Sequence, residues 1–192
     1  GAYFLPEIMG AGVALVDYDA DDDLDIYLLQ GTMLGSTTAT EETVGGERGD
    51  KPGHRLFRNE LSETGRLAFV DVTDVAGVGL REYGMGVAVG DVDNDGHPDL
   101  YVTAFGRNVL YRNNGDGTFT FIGRKAGISQ KNNNALGVVC FDFNGDHHDD
   151  FFVANDGEPN HLWINRGNGT FDEHGIALGV AVNLFGDTEA SM

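Results

Sequence analysis

Cysteine is almost missing from this chain of 192 residues. The single one, Cys140, excludes a framework of internal disulfides. It lies in the apolar run Gly137-Val138-Val139-Cys140-Phe141, where a small thiol reads as core filling. Reactive thiols instead sit in electropositive, partly exposed surroundings. Basic residues are also scarce: 12 Lys plus Arg face 31 Asp plus Glu, for a formal net charge of -19. Such a chain would repel a phosphate backbone, which argues against nucleic-acid binding, and anionic membrane surfaces are disfavoured on the same ground. No apolar run approaches the roughly 20 residues that span a bilayer, so a soluble chain without membrane insertion is expected. The opening "GAYFLPEIMG" has no basic n-region and no initial Met, and is expected to be a processed or excised end. Neither a Gly-x-Ser-x-Gly elbow nor a His-Glu-x-x-His pair occurs, so those hydrolase and metalloprotease signatures are absent.

Glycine, by contrast, is abundant at 29 residues, about twice the usual share of ~7%, and implies many tight turns. The acids are crowded rather than spread: residues 91–99 read "DVDNDGHPD". That phrase recurs within "GVALVDYDADDDLDIYLL" from Gly12, "GVAVGDVDNDGHPDLYVT" from Gly86 and "GVVCFDFNGDHHDDFFVA" from Gly137. Each copy is followed by "RLFRN" (55–59), "VLYRN" (109–113) or "HLWIN" (161–165). Ten-residue segments headed by Phe69, Phe119 and Phe171 then align without a gap. One repeat is therefore four short apolar stretches separated by turn residues, too short and too rich in Val, Phe and Tyr for helices. The links "NNGDGT" (113–118) and "NRGNGT" (165–170) supply the Gly and Asn that hairpin turns require. Asn168-Gly169-Thr170 also fits a glycosylation acceptor, but it occupies the turn that Asp116-Gly117-Thr118 occupies one repeat earlier, and a turn role accounts for both.

Four-stranded antiparallel units repeated every ~45 to 50 residues predict an all-β chain of β-propeller blades. The expected divisions are blade one at about 10–78 with an insertion at 30–54, blade two at about 84–128, blade three at about 135–180, and 181–192 as a linker to a next blade. The insertion, polar and rich in Gly and Thr, reads as a surface loop or as a functional loop on a binding face. Propellers close with roughly four to eight blades. Three blades leave two radial faces open, for further sequence or for other subunits to cover.

Aspartates at relative positions 1, 3, 5 and 9 of a tight loop converge, and mutually repelling anions need a cation. Hard oxygen donors in a flexible loop suit calcium, which takes six to eight oxygens, better than magnesium. The candidate ligands in loop one are Asp17, Asp19, Asp21 and Asp25 with the carbonyl of Asp23. In loop two they are Asp91, Asp93, Asp95 and Asp99 with the carbonyl of His97. In loop three they are Asp142, Asn144, Asp146 and Asp150 with the carbonyl of His148. About three calcium ions, one per loop, follow. Position 6 is Gly96 in loop two but Asp22 and His147 in the others, and Gly145 falls early in loop three, so a different loop path is expected there. An EF-hand is excluded, because position 12 is Leu28, Val102 or Val153 instead of Glu and the flanks alternate like strands. Zinc is not supported: the six histidines are scattered, and the neighbours His147 and His148 would point to opposite sides of an extended chain. Phe57, Tyr111 and Trp163 recur at one position of the third strand, either as packing between blades or as a sugar-stacking platform.

The phrases "GVALVDYDADDDLDIYL", "GMGVAVGDVDNDGHPDLYVT" and "LYRNNGDGTFT" resemble the FG-GAP repeats of the integrin-α type. They are especially similar to the variant found in the ASPIC/UnbV class and the cartilage acidic protein group. The resemblance implies a calcium-containing propeller on secreted or cell-surface proteins that bind other molecules. The reading that follows is an extracellular, cell-surface or periplasmic module, not an enzyme, that binds or scaffolds a protein or glycan and uses calcium structurally. Two alternatives stand beside it: a carbohydrate-active lyase or hydrolase, since propellers with similar acidic loops occur among such enzymes, and a subunit that self-associates through open blade edges into an oligomer or filament.

Overall fold

A computed structural model describes residues 10–31, 53–128 and 133–188. Most of the expected insertion at 30–54, and the last four residues of the expected linker, lie outside the described residues. Twelve strands are described, arranged as three antiparallel sets of four. Blade one holds β1 (Val13–Val16), β2 (Asp25–Leu28), β3 (Arg55–Asn59) and β4 (Phe69–Asp71), with the single-turn helices α1 (Leu61–Thr64) and α2 (Thr73–Ala76). Blade two holds β5 (Tyr83–Gly90), β6 (Asp99–Gly106), β7 (Val109–Asn113) and β8 (Phe119–Phe121). Blade three holds β9 (Asn133–Phe141), β10 (Asp150–Asn155), β11 (His161–Asn165) and β12 (Phe171–Glu173). The fold is the all-β, propeller-type arrangement that the repeats predict. No helix among the described residues is long and apolar enough to cross a membrane.

The register is the same in every blade. Val16, Gly90 and Phe141 pair with Asp25, Asp99 and Asp150, so the first loop of each blade begins and ends at equivalent residues. Farther out, Asn59 pairs with Phe69, Asn113 with Phe119 and Asn165 with Phe171. One feature goes beyond the sequence pattern: β6 extends past its hairpin and pairs with β9 through Phe105–Asn134 and Gly106–Asn133, joining blades two and three into one ladder.

The core lies between blades because strand side chains alternate between two faces. Ala14, Val16, Tyr18, Tyr27 and Leu56, on the front of blade one, pack with Leu100, Val102, Val109, Tyr111 and Phe119, on the rear of blade two. Val92, Tyr101, Leu110, Ala126 and Ile128, on the front of blade two, pack in the same way with Phe151, Val153, Trp163 and Phe171 of blade three. The innermost strands meet glycine to glycine: a Cβ on Gly12 would lie 3.2 Å from the Cα of Gly86, and one on Gly86 would lie 3.3 Å from the Cα of Gly137. Close backbone approach is what a glycine inside a strand permits, and it explains why each repeat opens on one.

Tyr111 and Trp163 are buried between blades, and only Phe57, at the rear of blade one, is half-buried. The recurring aromatic is therefore a packing residue, since two of its three copies offer no surface to a sugar. Cys140 packs against the core between blades two and three. Burial, with Asp149 beside it, pushes its thiol far above the usual range, as befits an inert thiol.

Candidate metal centres

Each acidic loop is built on the same backbone. Positive φ occurs at the fourth position in all three (Ala20 61°, Asn94 57°, Gly145 77°) and again at the sixth (Asp22 69°, Gly96 87°, His147 68°). Loop three therefore follows the path of the other two, contrary to the expectation drawn from its missing glycine. Gly145 meets the left-handed requirement at position 4, and His147 is among the residues that tolerate it at position 6.

Three aspartate positions knit this path together. The first-position carboxylate accepts the amides of positions 5 and 6: Asp17 from Asp21 (3.1 Å) and Asp22 (3.2 Å), Asp91 from Asp95 (3.1 Å) and Gly96 (2.8 Å), Asp142 from Asp146 (3.1 Å) and His147 (2.9 Å). The fifth-position carboxylate accepts the seventh amide: Asp21 from Asp23 (2.8 Å), Asp95 from His97 (2.9 Å), Asp146 from His148 (2.9 Å). The ninth is a buried clamp whose two oxygens tie the loop to the third strand. Asp25 accepts from Tyr18 N (3.1 Å) and Asn59 N (2.8 Å), Asp99 from Val92 N (2.9 Å) and Asn113 N (2.7 Å), and Asp150 from Phe143 N (3.0 Å) and Asn165 N (2.8 Å).

Carboxylate oxygens of Asp17, Asp19 and Asp25 come within 4.8 Å of one another, as do those of Asp91, Asp93 and Asp99. In loop one, Oδ1 of Asp19 and Oδ2 of Asp21 are buried and have no hydrogen-bond partner. A buried carboxylate oxygen without a partner is costly unless a cation faces it. Desolvation, and next the neighbouring carboxylate, raises the pKa of Asp19 and of Asp93. Desolvation likewise pushes Asp25 up to about 6 and Asp99 up to about 7, against the lowering effect of the amides they accept. An all-oxygen donor set with unpartnered oxygens fits a hard divalent cation, so these clusters could hold a metal ion.

Loop three differs. Among the described residues, Asp142, Asp146 and Asp150 do not form a group of comparable closeness. Asn144 turns its amide onto Asp146 Oδ2 at 2.8 Å, so a hydrogen bond occupies an oxygen that lacks a partner in loop one. The seventh-position side chains act as props. The rings of His97 and His148 lie against Gly115 and Gly167, the left-handed turn glycines of the following hairpins, where an added methyl would collide with the imidazole. Asp23, their counterpart, accepts the amide of Ser62 at the start of α1.

Two sets of contributors escaped the spacing rule. Glu63, on α1, brings a carboxylate oxygen within 4.8 Å of those of Asp19 and Asp21. Nothing in the repeat announces it, because blade one carries a helical turn where the other blades carry a tight hairpin. The asparagines ending each third strand were visible as the common last letter of "RLFRN", "VLYRN" and "HLWIN". Asn113 Nδ2 donates to the Tyr18 carbonyl, and Asn165 Nδ2 to the Val92 carbonyl, each at 2.8 Å and each at position 2 of the preceding blade's loop. Every loop with a blade behind it is thus latched by that blade.

A sequence profile of the FG-GAP-like repeat matches residues 91–153 and, overlapping, 142–187, together just over half of the chain. The chain belongs to the FG-GAP-like repeat family. Cartilage acidic protein 1 of Homo sapiens is 35% identical over 101 residues, covering 52% of this chain and 15% of that protein. The proteins of the same name from Mus musculus (34% over 101 residues, 52% of this chain, 16% of that protein) and Xenopus tropicalis (35% over 112 residues, 55% of this chain, 17% of that protein) are similar to it to the same degree. The aligned FG-GAP-like portion is thus about a sixth of each relative's length.

Proposed function

We propose that this FG-GAP-like segment is a calcium-binding module in which the ion is structural, and which presents its loops to an extracellular protein or glycan without acting on it chemically. The observation that carries the reading is the pair of buried, unpartnered oxygens on Asp19 and Asp21 inside a loop whose Asp17 and Asp25 carboxylates are engaged by backbone amides. A bound divalent cation would supply the positive charge those oxygens lack. The chain's own residues do the rest: Asp17, Asp19, Asp21, Asp25 and Glu63 hold the ion in loop one, and Asp91, Asp93 and Asp99 in loop two. Asp142, Asn144, Asp146 and Asp150 offer a weaker set in loop three, where the Asn144 amide must first leave Asp146. The carbonyls of Asp23, His97 and His148 are further donors. Extracellular calcium modules bind at ~10⁻⁴ to 10⁻³ M, a range filled outside cells. An acidic chain whose relatives are named for cartilage suits that setting.

Thermal unfolding of the metal-free chain, with and without calcium, tests the reading. At a calcium concentration a hundred times the dissociation constant, each site adds about 2.7 kcal/mol, equivalent to a Tm rise of about 5 to 10 °C per site for a chain of this size. Asp19→Asn with Asp21→Asn should remove loop one's share of the rise, and magnesium at the same concentration should give far less. A Tm that does not respond to calcium, or one that magnesium raises equally, sinks the reading.

A further inference from the structure

A second residue varies between blades together with the third loop position. The fourth residue of each third strand, paired with Val70, Thr120 and Asp172 of the fourth strands, is Arg58 in blade one, Arg112 in blade two and Ile164 in blade three. The third loop position reads Asp19, Asp93 and Asn144 in the same order. This strand position thus holds an arginine where the loop's third residue carries a charge, and an aliphatic side chain where it does not.

Both arginines are half-buried and stand beside the candidate ligands. Arg112 Nη1 lies 3.9 Å from Asp93 Oδ2, while its Nη2 donates to Asn114 Oδ1 at 3.1 Å, which fixes the guanidinium next to the loop. Arg58 donates to Glu60 and brings its Nε to 3.7 Å from Glu63 Oε1, on the side chain that joins Asp19 and Asp21 in loop one. Desolvation, and next the fifth-position carboxylate, raises the pKa of Asp19 and of Asp93, and in each case the arginine of the same blade pulls it back. In blade three, Arg166, two residues beyond Ile164, pairs with Asp172 of β12 instead.

We propose that Arg58 and Arg112 are resident counter-cations of loops one and two, which balance the ligand carboxylates while a loop is empty and lower its affinity for calcium once an ion arrives. This role presupposes the calcium-binding reading of the loops and adds what sets their strength. In an empty loop one, the carboxylates of Asp17, Asp19, Asp21, Asp25 and Glu63 repel one another, and a guanidinium held beside them offsets part of that cost. With a divalent cation among the same carboxylates, the guanidinium faces a charge of its own sign. Calcium affinity follows the charge count of the ligands, and a fixed arginine subtracts from that count.

Calorimetric titration of the metal-free chain with calcium at low salt, beside urea unfolding without the ion, tests the role. Arg58→Gln and Arg112→Gln should each tighten one binding step about fivefold: unit charges about 4 Å apart in water already change an equilibrium constant by about that factor, and the ion, though farther away, carries twice the charge. The ratio to the parent should shrink in about 1 M salt, which screens exposed charges beyond ~3 Å. Metal-free, both variants should unfold at lower urea, so that stability and affinity move in opposite directions. Arg112→Lys, which keeps the charge, should bind calcium as the parent does. A parent that binds calcium with glutamine variants that bind it no tighter overturns the role and leaves the calcium reading standing. A lysine variant that behaves like the glutamine one also overturns it, because the guanidinium would then act through its shape. A parent chain that takes up no calcium overturns the calcium reading, and this role with it.

Discussion

Blade one and blade three share a backbone but not a chemistry. Their acidic loops have positive φ at the same two positions, the same first-position aspartate gathering two amides, and the same ninth-position clamp. Yet loop one gathers Asp17, Asp19, Asp21 and Asp25 with Glu63 and leaves two of their oxygens without partners, whereas loop three replaces one carboxylate by Asn144 and closes on itself through a hydrogen bond. Positions 1, 5 and 9 thus serve both the loop shape and the candidate cation site, positions 4 and 6 serve the shape, and position 3, with Glu63 in loop one, decides how many carboxylates a cation would meet. Shape survives the change at position 3 because the first- and ninth-position aspartates that hold it are kept.

The clamp offers the largest effect on which this comparison can break. Asp25→Ala leaves the buried amides of Tyr18 and Asn59 without acceptors. In blade three, Asp150→Ala strands one buried amide, Asn165, and one half-buried, Phe143. A buried unsatisfied group costs about 1 to 3 kcal/mol. Urea unfolding in metal-free buffer should therefore show a loss of about 4 kcal/mol for Asp25→Ala and about half that for Asp150→Ala. Equal losses would mean that the Phe143 amide is as enclosed as that of Tyr18, contrary to the exposed front of blade three.

A second difference lies at the opposite end of the blades. The residue before each third strand supplies an acceptor to the amide that ends the second: Asn108 Oδ1 to Ala104 N (3.1 Å), Asn160 Oδ1 to Asn155 N (3.0 Å) and, in blade one, His54 Nδ1 to Gln30 N (3.0 Å). Burial pushes the His54 pKa down to about 4. The imidazole is thus held neutral, and in the unfolded chain it titrates near 6.5. The unfolded state binds the proton first, so this group's contribution is fully present above about pH 6.5 and is lost as pH falls towards 4. At pH 5 the loss is about 2 kcal/mol. His54→Asn, which copies the other two blades, should be less stable at pH 8 through lost packing against Tyr27 and should unfold with a flatter pH dependence between 7 and 5. An unchanged slope would show that His54 is not the group that titrates.

The parts legible in the sequence were those that recur. The order of four strands in each blade and the eleven loop carboxylates with Asn144 could be read because three copies repeat them at fixed spacing, and a spacing that returns three times is hard to produce except by a shared shape. Glu63 could not be read, since its contribution depends on α1, which the other two blades lack. The left-handed fourth position was equally hidden. Ala20, Asn94 and Gly145 have nothing in common as letters, and the glycine in loop three pointed to a displaced turn when it marked a conserved backbone angle. The pairing of β6 with β9 required knowing that both strands overrun their hairpins, which composition does not record.

That fourth position supplies the finest test of whether the two loops are one shape. Ala20 holds φ at 61° with a Cβ that the left-handed region resists, while Gly145 holds 77° without one. An L-residue pays about 1 to 2 kcal/mol there, partly offset by the greater freedom glycine gains in the unfolded chain. Ala20→Gly should therefore stabilise the metal-free protein by about 1 kcal/mol or slightly less. Gly145→Ala should destabilise it by a similar amount, since a Cβ at Gly145 meets no neighbour within 4 Å and only the backbone angle opposes it. Equal and opposite shifts in urea midpoint would establish one loop shape carried on two sequences. A Gly145→Ala variant as stable as the parent would show that loop three relaxes to a different φ, and that the equivalence with loop one ends at its clamps.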